Sequence, residues 1–368
     1  MLKNIVVAID SYKGSASSQE LNKAVELGIL EVLPNCTVKT FEISDGGEGT
    51  VLALNHGLGG HMVELETVDL LHRPTVASYL LYKDKAFIEA AEVVGIDKIK
   101  PDEHTFQSTT SFGLAKLFLD AKQKGAKEIT LSLGGTGTSD GGLGLLQGLG
   151  VEVNNLIEFS EIDFSKREDF SGIQLTALAD VTNPFAGDHG FVKYFGKQKG
   201  GTAELIEIYD KKAQEFANYI KRNHQFDLQK IPGTGAAGGL GGAISLLGGT
   251  IEPGFSKIAK LLKIEKEIIK ADLVITGEGK LDNQTAHGKV PYGMAKLARE
   301  HGVPTLAFCG TLNEGLGEME ELLLAAFSIQ HSPLSLEKAM DNGQTCKNIK
   351  RLTKNIIRTL TYKDIKSY

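Results

Sequence analysis

Carboxylates recur where short aliphatic runs end. Asp10 closes the run Ile5 to Ile9 and opens Asp10-Ser-Tyr-Lys-Gly-Ser15; Asp45 and Glu48 stand in Asp45-Gly-Gly-Glu-Gly-Thr50. Asp180 opens Asp180-Val-Thr-Asn-Pro184, and Glu278 and Asp282 share Gly277-Glu-Gly-Lys-Leu-Asp282. One acid at a strand end is often a helix N-cap. Asp45, Glu48, Asp180, Glu278 and Asp282 together form the set that phosphoryl transfer needs, since that chemistry uses carboxylates to hold Mg2+ or to accept a hydroxyl proton, amide donors for phosphate, and a lysine to balance charge. Asp45, Glu278 and Asp282 are the candidates for metal and Asp180 for the proton. Lys13, in Lys-Gly-Ser, and Lys289, in Gly-Lys-Val, suit a phosphate or a substrate carboxylate, although most lysines are simply solvated.

Glycine supplies the second signal. The chain holds 43 glycines in 368 residues, well above the usual level of about 7%, with eight between Gly134 and Gly150 and eight between Gly233 and Gly249. In Gly134-Gly-Thr-Gly-Thr-Ser-Asp-Gly-Gly142 the residues Gly134, Gly135, Thr136, Thr138 and Gly141 precede a helix, a place where open backbone N–H groups bind phosphate. Tight strand-to-helix packing accounts for the same pattern equally well. The loop is neither a Walker A sequence nor a dinucleotide fingerprint, which excludes the common NAD-dependent dehydrogenase architecture. Gln198-Lys-Gly-Gly201 reads as an anion loop or, at least as well, as a solvated turn.

Composition narrows the class. Hydrophobic residues make up 41% and charged residues 23%, as in ordinary globular proteins, and the net charge of -6 favours small-molecule partners over nucleic acid or acidic lipid. Cys36, Cys309 and Cys346 show no disulfide or metal-ligand spacing, so a reducing, cytoplasmic setting is expected. The uncharged stretch 231–251 is too rich in glycine for a membrane helix, and the N-terminus reads as a first strand.

The elements that must carry these residues alternate. Ile5 to Ile9 predicts a buried strand, and the capping box Ser17 to Glu20 opens a helix that Pro34 ends. Val38 to Ile43 predicts a second strand, making a parallel βαβ unit. Ser78 to Tyr82 and Ala86 to Ala90 predict a hairpin; further strands are expected at 129–133, 175–179, 273–276, 304–309 and 325–329. Helices are expected at 110–124, 140–149, 204–222, 236–247 and 290–300, and over most of the chain from 334 to its end. The expected fold is α/β, with two domains of mainly parallel, Rossmann- or flavodoxin-like sheets and a cleft between them. Residues 1–70 plus 286–368 would form a discontinuous domain, and 71–285 an inserted one.

In order along the chain, the motifs at 10–15, 45–50, 109–113, 134–142, 180–184, 195–200, 233–239 and 275–282 closely resemble the bacterial glycerate kinase family of the first type. The resemblance implies ATP- and Mg2+-dependent phosphorylation of D-glycerate to 2- or 3-phosphoglycerate by a two-domain α/β enzyme, whether as a monomer or a homo-oligomer. A non-catalytic nucleotide- or sugar-phosphate-binding regulatory protein is the alternative, against which the retained strand-end acids argue. The chain departs from the family at Leu70-Leu-His-Arg73, where a Pro-Leu-Gly turn is usual, and at Gly137 and Ser139, where Ala and Asn are usual.

Overall fold

The computed structural model describes residues 2–286 and 288–362, so 363–368 of the expected terminal helix lie outside the described residues. The chain divides into two compact units. One comprises Met1–Asp45, His56–Leu58 and Phe255–Tyr368; the other comprises Gly46–Asn55 and Gly59–Gly254.

Strand β1 (Asn4–Ile9) is a β-branched run buried along almost its whole length, as a central parallel strand must be. The helix Ser18–Leu30 follows. Glu20 donates its backbone N–H to Ser17 Oγ, and its own carboxylate accepts the Ser17 N–H at 2.9 Å. Strand β2 (Thr37–Thr40) is shorter than expected. Beyond Phe41, Asn22 Nδ2 donates to the Phe41 carbonyl and the Ile43 N–H donates to Ser18 Oγ, so helix side chains take the groups a sheet neighbour would use.

The middle of the chain supplies β3 (His61–Val68), β4 (Pro74–Tyr82), β5 (Lys85–Glu89), β6 (Glu128–Ser132), β7 (Glu152–Val153), β8 (Ile162–Asp163), β9 (Gln174–Leu178) and β10 (Thr250–Glu252). The last strands are β11 (Leu273–Leu281), β12 (Thr305–Leu312) and β13 (Ala325–Ser328). In the first unit a five-stranded sheet runs β13-β12-β11-β1-β2 with every pairing parallel. Ile9, Leu21, Ile275, Phe308 and Ile349 are fully buried in its core. The helices Ser18–Leu30 and Asn342–Leu360 meet so closely that a Cβ on Gly28 would lie 2.8 Å from the Lys350 carbonyl oxygen.

The second unit is built on a six-stranded sheet in the order β10-β9-β6-β5-β4-β3. Strands β10, β9, β6 and β5 run parallel, while β4 and β3 add an antiparallel edge. The fold is thus α/β with mainly parallel sheets.

The unit boundaries differ from the expected ones, and the ladders give the reason. Strand β3 was not foreseen; its antiparallel register with β4 draws residues 59–70 into the second unit. Strand β11 pairs with β1 and draws 255–285 into the first. The Leu70 to Arg73 turn therefore joins β3 to β4 inside one unit and is not a linker. Strand β11 also continues past the expected Thr276, because β12 follows it to the pair Leu281 and Leu312. Among the described residues no helix is long and apolar enough to cross a membrane.

Candidate active site

The carboxyl edge of the first unit's parallel sheet is the place where open α/β sheets bind ligands. A cavity of about 440 Å3 opens there, and Asp10, Lys13, Asp45, Glu278 and Lys289 line it. Asp10 follows β1 directly, its N–H donating to the Gly277 carbonyl at 2.9 Å. Lys13 rides the exposed tip of a tight turn that the Tyr12 and Ala16 backbones close, with the Tyr12 N–H donating to Ala16 at 2.8 Å. Asp45 is the last residue of the first unit's opening segment. Because β11 is long, Glu278 lies within the strand and not after it.

Burial and charge act together at this edge. Burial pushes the Asp10 carboxyl up to about 7, with Asp45 and Glu278 repelling its charge and Lys13 only partly offsetting them. Glu278 is raised as well, first by burial, against the hydrogen bond from Thr285 and the Lys289 ammonium at 3.0 Å. Asp282 does not line the cavity. It pairs with Lys280 at 2.9 Å and adds to the repulsion on Glu278. Among the described residues, no group of three His, Cys, Asp or Glu side chains is arranged to hold a metal ion.

The other predicted residues belong to the second unit. Asp180, after β9, accepts the Gly254 N–H at 3.0 Å, which fixes its carboxylate. The loop Gly134 to Gly142 is buried from Thr136 to Ser139 and at Gly141 and Gly142, whereas Gly135 is exposed, and several of its donors are occupied. The N–H of Gly137 bonds to Val94 and that of Gly141 to Gly238. Asp140 accepts from the backbone of Ser111, Gly142 and Gly144 and from Ser111 Oγ, at 2.7 to 3.1 Å. Thr136 and Thr138 are buried too, and the Thr138 carbonyl accepts from Lys199 Nζ at 2.6 Å. Lys199 is therefore no solvated turn residue: it is 3% exposed, and burial brings its pKa down to about 8. Gly134 abuts Gly47, whose Cα would lie 2.3 Å from an added Cβ.

Two acids escaped the sequence reading's list of candidates. Asp10 carried a signal, since it ends the first buried run. Glu89 carried almost none. As the last residue of β5 it accepts the N–H groups of Gly49 and Val51 at 3.0 and 3.3 Å, and burial raises its carboxyl to about 7.

The sequence matches the model of the glycerate kinase family over residues 5–361. It is 37% identical to a glycerate kinase of Bacillus cereus, covering 96% of each chain, and 34% identical to a glycerate 2-kinase of Escherichia coli, covering 97% of each. A crystal structure of a protein assigned as glycerate kinase 2 from Salmonella typhimurium LT2 superposes with a TM-score of 0.85 at 34% identity, covering 99% of this chain and 100% of that one. The chain belongs to the glycerate kinase family and is an enzyme, a kinase.

Proposed function

We propose that the protein transfers the γ-phosphoryl group of ATP, with Mg2+, to the 2-hydroxyl of D-glycerate. The observation that carries this reading is the first unit's cavity, where Asp10, Asp45 and Glu278 share one space with Lys13 and Lys289. The donor set fits Mg2+, a hard cation that takes one or two carboxylates and completes its shell with phosphate oxygens and water. Asp45 and Glu278 would hold it, Asp282 lying outside the cavity in its pair with Lys280; bound there, it would neutralise charge on the transferring phosphoryl group. Lys13 and Lys289 contribute point charges for the phosphate oxygens or the substrate carboxylate. In the transfer the glycerate oxygen bonds to the γ-phosphorus, the bond to the β–γ bridging oxygen breaks, and the hydroxyl proton passes to a carboxylate. The choice of the 2-hydroxyl is supported by the name of the Escherichia coli relative.

The test is ADP release with and without D-glycerate, followed by phosphorus NMR of the product. Release that depends on D-glycerate and yields 2-phosphoglycerate is the expected result. Release indifferent to glycerate overturns the reading, and 3-phosphoglycerate as product overturns the choice of hydroxyl.

A further inference from the structure

The same cavity has a second wall that the acids and lysines do not explain. Opposite in chemistry to the charged residues, Ile329, Leu336, Ala339 and Met340 line it with apolar surface. Leu336 is 76% exposed although it is a bulky apolar residue, on the short helix Leu336–Ala339 that Ser335 caps. Set beside Ile329, Ala339 and Met340, this leucine extends a contiguous apolar wall that a ligand could cover. The wall is tied to the lysine-bearing turn: Asn342 Nδ2 donates to the Ser15 carbonyl at 3.0 Å, and the hydroxyls of Ser15 and Thr345 meet at 2.7 Å.

Gln330 adds a specific group. It follows β13 and lines the cavity, and its Oε1 is buried without a hydrogen-bond partner among the described residues. A buried acceptor without a donor is costly, and a ligand that brings one removes the cost. D-Glycerate has no apolar face with which to cover Leu336 and Met340. A purine has two such faces and, in adenine, an exocyclic amino group at its edge. Guanine presents a carbonyl at that place.

We propose that this cavity seats the base of an adenine nucleotide against Ile329, Leu336 and Met340, with Gln330 Oε1 accepting from the adenine amino group. The ligand class rests on the kinase reading; the location and the selectivity rest on these side chains. The phosphates then extend toward Lys13 and Lys289 within the one cavity. A volume of about 440 Å3 falls in the range of small-ligand sites.

Calorimetric titration with ADP and with GDP, in the absence of glycerate, tests this on the wild-type protein and on Leu336→Asp and Gln330→Met. Melting curves run alongside establish that each variant is folded. Leu336→Asp should weaken ADP at least tenfold, because it sets a carboxylate against the base. The wild-type protein should prefer ADP to GDP at least tenfold, and Gln330→Met should bring the two within about threefold of each other. Neither variant should move the KM for D-glycerate more than twofold. A protein that binds ADP in this pattern yet does not phosphorylate D-glycerate would refute the proposed substrate and leave the base site standing. ADP affinity within twofold of wild type in folded Leu336→Asp, or a KM for D-glycerate that rises in its place, overturns the proposal.

Discussion

Glycine-rich and acid-rich strand ends look alike in sequence and serve different ends in the two units. In the first unit the sheet's carboxyl edge keeps Asp10, Asp45 and Glu278 around open space, and their charges oppose one another. In the second, the loop 134–142 turns much of its polarity inward, with Asp140 accepting from four donors and the Thr138 carbonyl from Lys199, while the Thr138 and Ser139 hydroxyls are buried with no partner among the described residues. Charge left in conflict marks a place prepared for a ligand, whereas polar groups that satisfy each other, as those around Asp140 do, hold a loop in shape. The glycines of the second unit let backbones approach where any side chain would intrude.

The largest effect that could break this comparison is expected at Gly238. It adopts φ +68° where the helix Ala236–Leu246 is kinked, and an added Cβ would lie 2.0 Å from the Thr138 carbonyl oxygen. Both the left-handed backbone and the collision oppose a side chain. Gly238→Ala should cost about 4 kcal/mol or more in chemical denaturation. A Gly238→Ala protein of normal stability but weakened ATP binding would return the glycine loop to the role of phosphate cradle.

The opposite signature is expected in the first unit. Glu278→Gln should lower kcat/KM by roughly 10² and raise the Mg2+ requirement, since an amide is a poor ligand for a hard cation. Its stability should hold, because the substitution removes a charge that repels Asp10. Lys13→Met should cost roughly tenfold in kcat/KM, the worth of one charged contact of about 1.5 to 3 kcal/mol. Mg2+ titrations and melting curves of both variants check this. Loss of stability with unchanged kinetics in either would make the edge a packing feature like its counterpart.

These contrasts show what the sequence discloses. Continuous runs such as Ile5 to Ile9 gave their strands away, because a strand buried on both faces has no polar positions to confuse the pattern. His61–Val68 passed unnoticed because it is an edge strand whose Glu64 and Glu66 are mixed with apolar residues, and only the β4 ladder shows it. Lys13, Asp45, Glu278 and Lys289 could be named in advance, since each stands in a short motif at or near a strand or helix end. Their convergence could not be read, for it depends on β1 and β11 becoming neighbours across some 270 residues. Lys199 was misjudged for the same reason: nothing local reveals that the Thr138 carbonyl will cover its ammonium.

A smaller effect concerns pH and sharpens the comparison from within the second unit. Glu89 has a folded pKa of about 7 against 4.5 for the free side chain, raised by burial in spite of its two N–H donors. Between those values the folded state holds a proton that the unfolded chain releases, so stability falls as pH rises from about 4.5 to about 7. Above 7 the full cost of a buried carboxylate is present. Glu89→Gln, neutral throughout, should flatten this slope and gain on the wild type at pH 8 by about 1 to 3 kcal/mol, while below pH 4.5 the advantage disappears. Urea melts at pH 5 and pH 8 measure it. A wild-type slope unchanged by the substitution would mean that Glu89 stays ionised through its bonds to Gly49 and Val51.

The smallest effect is expected at His72, where the turn between β3 and β4 departs from the family's usual Pro-Leu-Gly. Its φ is +59°, a left-handed conformation that costs a residue with a Cβ about 1 kcal/mol and a glycine nothing. Three other features hold the turn. Asp69 accepts the N–H groups of Leu71 and Arg73 at 2.8 and 3.0 Å, and the Arg73 guanidinium pairs with the same carboxylate at 2.6 Å. The His72 ring also lies 5.6 Å from that of Phe112, a tilted contact worth about 0.5 to 1 kcal/mol. His72→Gly relieves the backbone but gives up the ring contact, so stability should change by less than about 0.5 kcal/mol. Phe112→Ala lets the two contributions be separated: in that background the ring has no partner, and His72→Gly should stabilise by about 0.5 to 1 kcal/mol. Equal effects of His72→Gly in both backgrounds, measured by urea denaturation, would show that the ring contact contributes nothing and that Asp69 alone maintains the turn.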